Sequence, residues 1–248
     1  MRTAVIQSFR NTDRPAWISR CLDSVRHWCE CHGYDWCFYG DELFARVPDW
    51  YMAKTGPGPV AADYARLVLA QEKLAAGYHT VIWLDADTLV LDDALQLTTD
   101  RSCAFGQEFW VQEEQGGLKA RRNVHNAVCL FHQDDVVLPF LAETVASIIR
   151  RANPDHIAPQ MVGPKLLTAL HSLHDFALLP QAGALSPAVV NDLVAGDGPA
   201  LSLLLARTPV PLQAVNLCAS LITPSAAAHV IDKAFLLLSA GHNYPPTD

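Results

Sequence analysis

Asp85 and Asp87 are the residues with the clearest chemistry. They follow the apolar run Val81-Ile82-Trp83-Leu84 in the sequence Leu84-Asp85-Ala86-Asp87-Thr88. Strand residues rise about 3.3 Å each, and positions two apart share a face. An extended chain through Asp87 would project both carboxylates to one point at the strand's carboxyl end. Like charges held that close need a partner, and hard carboxylate oxygens suit Mg²⁺ or Mn²⁺. Ligands of open α/β sheets bind at that same edge. The plain alternative is a pair of solvated turn residues or caps. No Ser nucleophile elbow, Walker loop or GxGxxG accompanies the pair.

The surrounding pattern supplies the frame. Ala4–Phe9 reads as a buried strand, and Asp13-Arg14-Pro15 offers an N-cap with an early helical proline. Trp17, Ile18, Cys21, Leu22, Val25, Trp28 and Cys29 recur at helical spacing to about His32. Tyr34–Tyr39 reads as a second strand, Val60–Ala76 as a helix stopped by Gly77, and Thr80–Leu84 as a third strand. Strand, helix, strand, helix, strand implies βαβ units with parallel pairing. Further on, Cys103–Phe105 and Ala127–His132 read as strands. Val136–Ala152, Lys165–Leu173, Pro187–Ala195 and Pro224–Leu238 read as helices, with Ser186-Pro187 and Thr223-Pro224 as cap-then-proline starts. The expected fold is α/β, a Rossmann-like, mixed but mainly parallel sheet flanked by helices. The Thr55-Gly56-Pro57-Gly58-Pro59 breaker reads as a loop, so residues 1–248 are expected to form one domain.

Several segments together resemble the DXD-containing sugar transferases of the GT-A fold, in particular the α-1,6-mannosyl- and α-1,4-galactosyl-transferring type and its bacterial relatives. The segments are Ala62-Asp63-Tyr64-Ala65-Arg66, Tyr78 to Asp87, Asn123 to Val128 and Gly163-Pro164-Lys165-Leu166-Leu167-Thr168. The resemblance covers roughly residues 1–170 and implies a nucleotide-diphosphate sugar as donor. It implies Mn²⁺ or Mg²⁺ on Asp85 and Asp87, with Ala86 between them at the donor. Asp63 and Arg66 fall at i, i+3 on one helix face. The resemblance makes them contacts to the donor sugar and phosphates, which suits the forked guanidinium. Asp63, Arg66 and Asn126 are the candidates for catalysis, with no nucleophile named.

Gln7, Ser8 and Phe9 resemble the nucleoside-binding loop of these enzymes. Tyr39 and Asp41 end the second strand at the same edge, where a turn capped by Asp41 fits equally. Asn123 and Asn126, in a polar stretch before a strand, suit sugar hydroxyls or Asx-type turns. Gln107 and Glu108 end the preceding strand-like run and could face the cleft. A late His often serves as third metal ligand in the family. Here Val215-Asn216-Leu217-Cys218 is the best positional match, so Asn216 is the weaker third-ligand candidate. Retention of anomeric configuration is implied, with a glycan, lipid-linked molecule or small molecule as acceptor.

Two rivals stay open. One is a phosphatase of the haloacid-dehalogenase type with Asp85 as nucleophile, but Asp134-Asp135 precedes Lys165, the reverse of the order such enzymes need. The other is a non-catalytic nucleotide-sugar-binding protein. Eighteen Lys and Arg against 26 Asp and Glu, net −8, exclude the basic footprint of a non-specific nucleic-acid binder. The 50% of hydrophobic residues among 248 excludes general disorder.

The Met1-Arg2-Thr3-Ala4-Val5-Ile6 start has no leader pattern, and no transmembrane run is found. The apolar stretches Ala200–Ala206 and Ala234–Ala240 are short enough for buried helices. A groove for a lipid-linked acceptor, or peripheral membrane contact, is the other reading of the leucine runs within them. Seven cysteines without regular spacing predict a reducing, cytoplasmic setting. Cys21, Cys29, Cys31 and Cys37, beside His27 and His32, lack zinc-type Cys pairs and read as buried free thiols. His171 and His174, with Asp175, read as complementing a helix C-terminus.

Overall fold

The structure is a computed structural model that describes residues 2–173 and 176–238. His174, Asp175 and the end of the Ala234–Ala240 run lie outside the described residues. The strands are β1 (Thr3–Ser8), β2 (Asp35–Tyr39), β3 (Thr80–Leu84), β4 (Thr88–Val90), β5 (Cys103–Glu114), β6 (Gly117–His132), β7 (Ala177–Leu179), β8 (Ala182–Ala184) and β9 (Ala214–Asn216). The helices are α1 (Ala16–His32), α2 (Asp49–Thr55), α3 (Pro59–Ala75), α4 (Val137–Arg151), α5 (Pro164–His171), α6 (Pro187–Ala195), α7 (Pro199–Arg207) and α8 (Pro224–Leu238).

Six strands form the larger sheet in the order β2-β1-β3-β6-β5-β7, and only β6 runs against the rest. β1 pairs in parallel with both β2 and β3, as the βαβ pattern requires. The strand residues alternate between two cores. Ala4, Ile6, Val81, Trp83, Phe105, Cys129 and Phe131 pack with α3 and α4 on one face. Val5, Ile82, Leu84, Ala104, Val128 and Leu130 pack with Val25, Trp28 and Cys29 of α1 on the other. Both faces are covered, which is why these strands read as continuous apolar runs.

A smaller sheet, β4-β9-β8, starts one residue beyond Asp87. It joins a further core with Trp17, Ile18, Cys21 and Leu22 of α1 and the apolar faces of α6, α7 and α8. Within the leucine runs, Leu204 and Leu238 are buried while Leu236 is exposed. No single helix among the described residues is long and apolar enough to cross a membrane.

Local chemistry explains most boundaries. α3 ends at Ala75, and Gly77 follows at φ +91° with its N–H on the Leu74 carbonyl, 3.0 Å. Ser186 accepts the Val189 N–H at the start of α6, and Thr223 accepts the Ala226 N–H at the start of α8.

Three expectations need correction. Asp13 does not cap α1: the cap position is Pro15 without a side-chain bond, and Asp13 instead turns the loop at φ +51°. Cys31 is exposed and Cys37 half-buried, although Cys21 and Cys29 are buried as expected. The third correction is the β5–β6 hairpin. Cys103–Phe105 and Ala127–His132 are only the buried feet of two long strands, whose upper halves pair from Gly106↔His125 to Glu114↔Gly117. The upper halves are polar on their open side, where Arg121 binds Glu114 at 2.6 and 2.9 Å and Asn123 binds Glu108 at 3.1 Å. Such a two-stranded extension has one wet face, so it lacks the apolar run of the buried strands.

Where the register shifts between Phe105 and Gly106, the hairpin leans on a glycine. A Cβ on Gly106 would stand 2.2 Å from Nε2 of the buried His125. Gly106→Ala is expected to lower stability by about 1–3 kcal/mol through overpacking, read as a lower urea midpoint at unchanged slope.

Candidate active site

Asp85 closes β3, and the chain then turns rather than staying extended. The Asp85 carbonyl accepts the Thr88 N–H at 2.9 Å, and the Asp85 N–H donates to the Ala127 carbonyl of β6 at 2.8 Å. The expectation of an extended Asp-x-Asp is therefore corrected: a tight turn presents the pair. Ala86, at its centre, is buried. The turn is pinned on its far side as well. Thr88 pairs with Asn216 across β4 and β9, and the Leu217 N–H donates to the Asp87 carbonyl at 2.9 Å.

The two carboxylates have different neighbours. Asp85 Oδ1 accepts from Trp83 Nε1 at 2.6 Å and pairs with Arg66 Nη1 at 3.0 Å. Asp87 accepts the Asn216 amide at Oδ1 and the Ala219 backbone N–H at Oδ2, both at 2.7 Å. Asn216 thus turns its Nδ2 to Asp87, while its Oδ1 accepts the Cys218 N–H at 2.9 Å. Burial, then the neighbouring Asp85 charge, pushes the Asp87 carboxyl up to about 6.

Arg66 joins the pair to α3. It is buried, pairs with Asp63 Oδ1 at 3.0 Å and donates to the Asn126 carbonyl of β6. Its guanidinium lies over the Trp83 ring, 4.8 Å from the centroid. Asn126 Nδ2 donates to the same Asp63 oxygen at 2.7 Å. Gly163 packs against this knot: a Cβ there would lie 2.7 Å from Asp63 Oδ2 and 2.8 Å from Asn126 Nδ2. Burial pushes Asp63 up to about 6, although Arg66 and Asn126 pull the other way. The Arg66 guanidinium is thus shared between the Asp63 and Asp85 carboxylates, and Asp63 and Arg66 lie buried behind the cleft lining rather than in it.

An open cleft of about 840 Å³ lies over the pair. Asp85, Asp87, Glu108, Asn123, Asn126 and Asn216 line its floor, together with Trp110, Gln112, Lys165, Thr168 and Ser220. Asn123 and Asn126 belong to strand β6 rather than to the polar loop expected before it. Gln107 is buried, and its neighbour Glu108 lines the cleft, as strand alternation requires.

Gln7 is fully buried between Trp36 Nε1, which donates to its Oε1 at 3.0 Å, and the Asp85 carbonyl, to which its amide donates at 3.3 Å. It braces the turn from below. Ser8 and Phe9 leave the end of β1, and the Phe9 N–H donates to the Tyr39 carbonyl at 3.1 Å. Tyr39 lies under Arg46, and Asp41 accepts the Asn11 N–H. These four sit at the same sheet edge but outside the cleft lining.

Trp83, Trp110, Gln112 and Ser220 went unmarked in the sequence. Only Trp83 left a signal, standing two residues before Asp85 on the same strand. Asp135 caps α4 through the Val137 and Leu138 N–H groups and accepts the Ser102 hydroxyl at 2.6 Å.

Arg66→Met removes the counter-charge of two carboxylates and is expected to destabilise the fold by about 3–5 kcal/mol. Asp63 binds its proton more tightly folded than unfolded, so its contribution is fully favourable below the ordinary carboxylate pKa, near 3.9. That contribution is lost as pH rises through about 6. Between pH 4 and 7, wild type should therefore lose on the order of 2 kcal/mol relative to Asp63→Asn, measured by urea unfolding at each pH.

No protein-family model matches the chain, and no curated protein matches it. Solved structures do. The glycosyltransferase involved in glycosylating the major capsid of PBCV-1 is 13% identical, with a TM-score of 0.53 over 92% of this chain and 98% of that one. Mouse xyloside xylosyltransferase 1 is 11% identical, with a TM-score of 0.50 over 90% and 100%. The galactosyltransferase LgtC is 14% identical, with a TM-score of 0.46 over 98% and 97%. The likeness to the first two concerns architecture: the mixed, mainly parallel sheet with flanking helices is a fold of the GT-A glycosyltransferase type.

Proposed function

We propose that this protein is a metal-dependent glycosyltransferase that moves a sugar from a nucleotide-diphosphate donor to a hydroxyl-bearing acceptor. The observation that carries the reading is the charge pattern of the cleft lining, which sets the carboxylates Asp85, Asp87 and Glu108 against the one ammonium of Lys165. A diphosphate would be repelled there unless it arrived with a cation. The fold of GT-A type, and the site at the carboxyl edge of β3, support the same reading.

The donor set fits Mn²⁺ or Mg²⁺. Asp85 and Asp87 are hard oxygen ligands on one tight turn, and diphosphate oxygens and water would complete the shell. A cation held by Asp85 and Asp87 would supply Lewis-acid stabilisation of the charge on the departing diphosphate. The protein's own groups do the rest. Asn216 and the Ala219 N–H hold Asp87 in place, and Trp83 and Arg66 hold Asp85. Arg66 and Asp63 hold Asn126 from behind the lining, while Asn126, Asn123 and Glu108 offer donors and acceptors to sugar hydroxyls. We read the transfer as retaining, with residues 1–248 acting as one unit. The acceptor is a glycan, a lipid-linked molecule or a small molecule.

A second reading is a nucleotide-sugar-binding protein without turnover. It is favoured by Asn216, which directs its amide N–H at Asp87. The phosphatase reading is disfavoured, because Asp135 is engaged as a helix cap away from the cleft.

Release of nucleoside diphosphate from a panel of nucleotide sugars, with and without Mn²⁺, decides among them. The transferase predicts metal-dependent release that falls at least 100-fold in Asp87→Asn while the fold is retained. Binding without release selects the second reading. Release unchanged by a chelator, or by Asp87→Asn, contradicts the proposal.

A further inference from the structure

A second set of metal-ligating side chains stands outside the cleft. His27 and Cys31 lie four residues apart on one face of α1, and Asp93 faces them from the turn after β4. His27 Nε2 is 3.3 Å from Asp93 Oδ2 and 3.7 Å from Cys31 Sγ, and all three ligand atoms lie within 4.8 Å of one another.

The two spacings from His27 Nε2 are those of a tetrahedral ion's ligands. With Zn–N near 2.0–2.1 Å and Zn–S near 2.3 Å, tetrahedral angles put N and O roughly 3.3 Å apart and N and S roughly 3.6 Å apart. One imidazole, one thiol and one carboxylate form a borderline-soft set, which suits Zn²⁺ rather than Mg²⁺ or Ca²⁺.

The turn that brings Asp93 is fastened to the same helix. His32 Nε2 lies 2.7 Å from the Asp93 carbonyl, and buried Trp28 Nε1 donates to the Leu95 carbonyl at 3.0 Å. Within the turn, Asp92 accepts the Ala94 N–H at 2.8 Å and the Gln213 amide at 3.1 Å. The backbone that carries Asp93 is therefore held in place, while the three ligating side chains are exposed and open to an ion.

We propose that His27, Cys31 and Asp93 form a zinc site with water in the fourth position, clipping the last turns of α1 to the 92–95 turn. The site is independent of the sugar-transfer reading, because it shares no residue with the cleft.

The test is a Co²⁺ titration of the reduced full-length protein, with Co²⁺ as the spectroscopic stand-in for Zn²⁺. Tetrahedral d–d bands and a thiolate charge-transfer band should saturate at one ion per chain and be displaced by Zn²⁺. Both should vanish in Cys31→Ser and weaken at least tenfold in His27→Gln, but persist in Asp87→Asn. Zn²⁺ should raise the melting temperature of wild type and not of Cys31→Ser. Absence of a thiolate band in wild type, or the same band in Cys31→Ser, overturns the proposal.

Discussion

The buried guanidinium of Arg66 is the interaction on which the site depends. A charge taken out of water needs partners in good geometry, or the fold loses several kcal/mol. Arg66 has three: the Asp63 and Asp85 carboxylates at 3.0 Å and the Asn126 carbonyl. Each comes from a different element, α3, the end of β3 and β6. Arg66 therefore fixes how a helix and two strands meet, and so where the Asp-x-Asp turn points. Burial still outweighs its charge at Asp63, which is raised to about 6, and Asp87, outside its ion pairs, is raised to about 6 by burial and by Asp85. The same constraint that holds the cleft together leaves it short of positive charge.

The rest of the fold serves that arrangement. Gln7 and Trp36 brace the turn from beneath, and β9 grips it from the side. Asp87 thus joins the larger sheet to the smaller one, which packs against α1 and the late helices. Gly163 allows α5 to begin directly against the Asp63–Asn126 pair, where any Cβ would collide. This gives a physical reason for a glycine in the Gly163-Pro164 segment.

What the sequence disclosed divides along physical lines. Strands β1 and β3 and helices α1 and α3 were legible because burial on both sheet faces writes continuous apolar runs and helical spacing into the chain. Asp63, Arg66, Asp85 and Asp87 were legible as types at a spacing. Their mutual contacts were not, because Arg66 reaches Asp85 across 19 positions and Asn126 across 60. The upper β5–β6 hairpin was hidden by its wet face, so Asn123 and Asn126 read as loop residues. Asn216 was found by position alone, and only the structure gives its amide N–H a direction, toward Asp87. Asp93 left no trace beside His27 and Cys31, since the turn that carries it is more than 60 residues further along the chain.

On the proposed reading, this acidic cleft takes a diphosphate only together with a divalent cation. The most direct measurement is calorimetric titration of the wild-type protein with nucleoside diphosphates, in Mn²⁺ and again in chelator. Binding at least tenfold tighter with Mn²⁺ for one nucleotide is the predicted result. Equal affinity in the two conditions, or no binding of any nucleoside diphosphate, would contradict it.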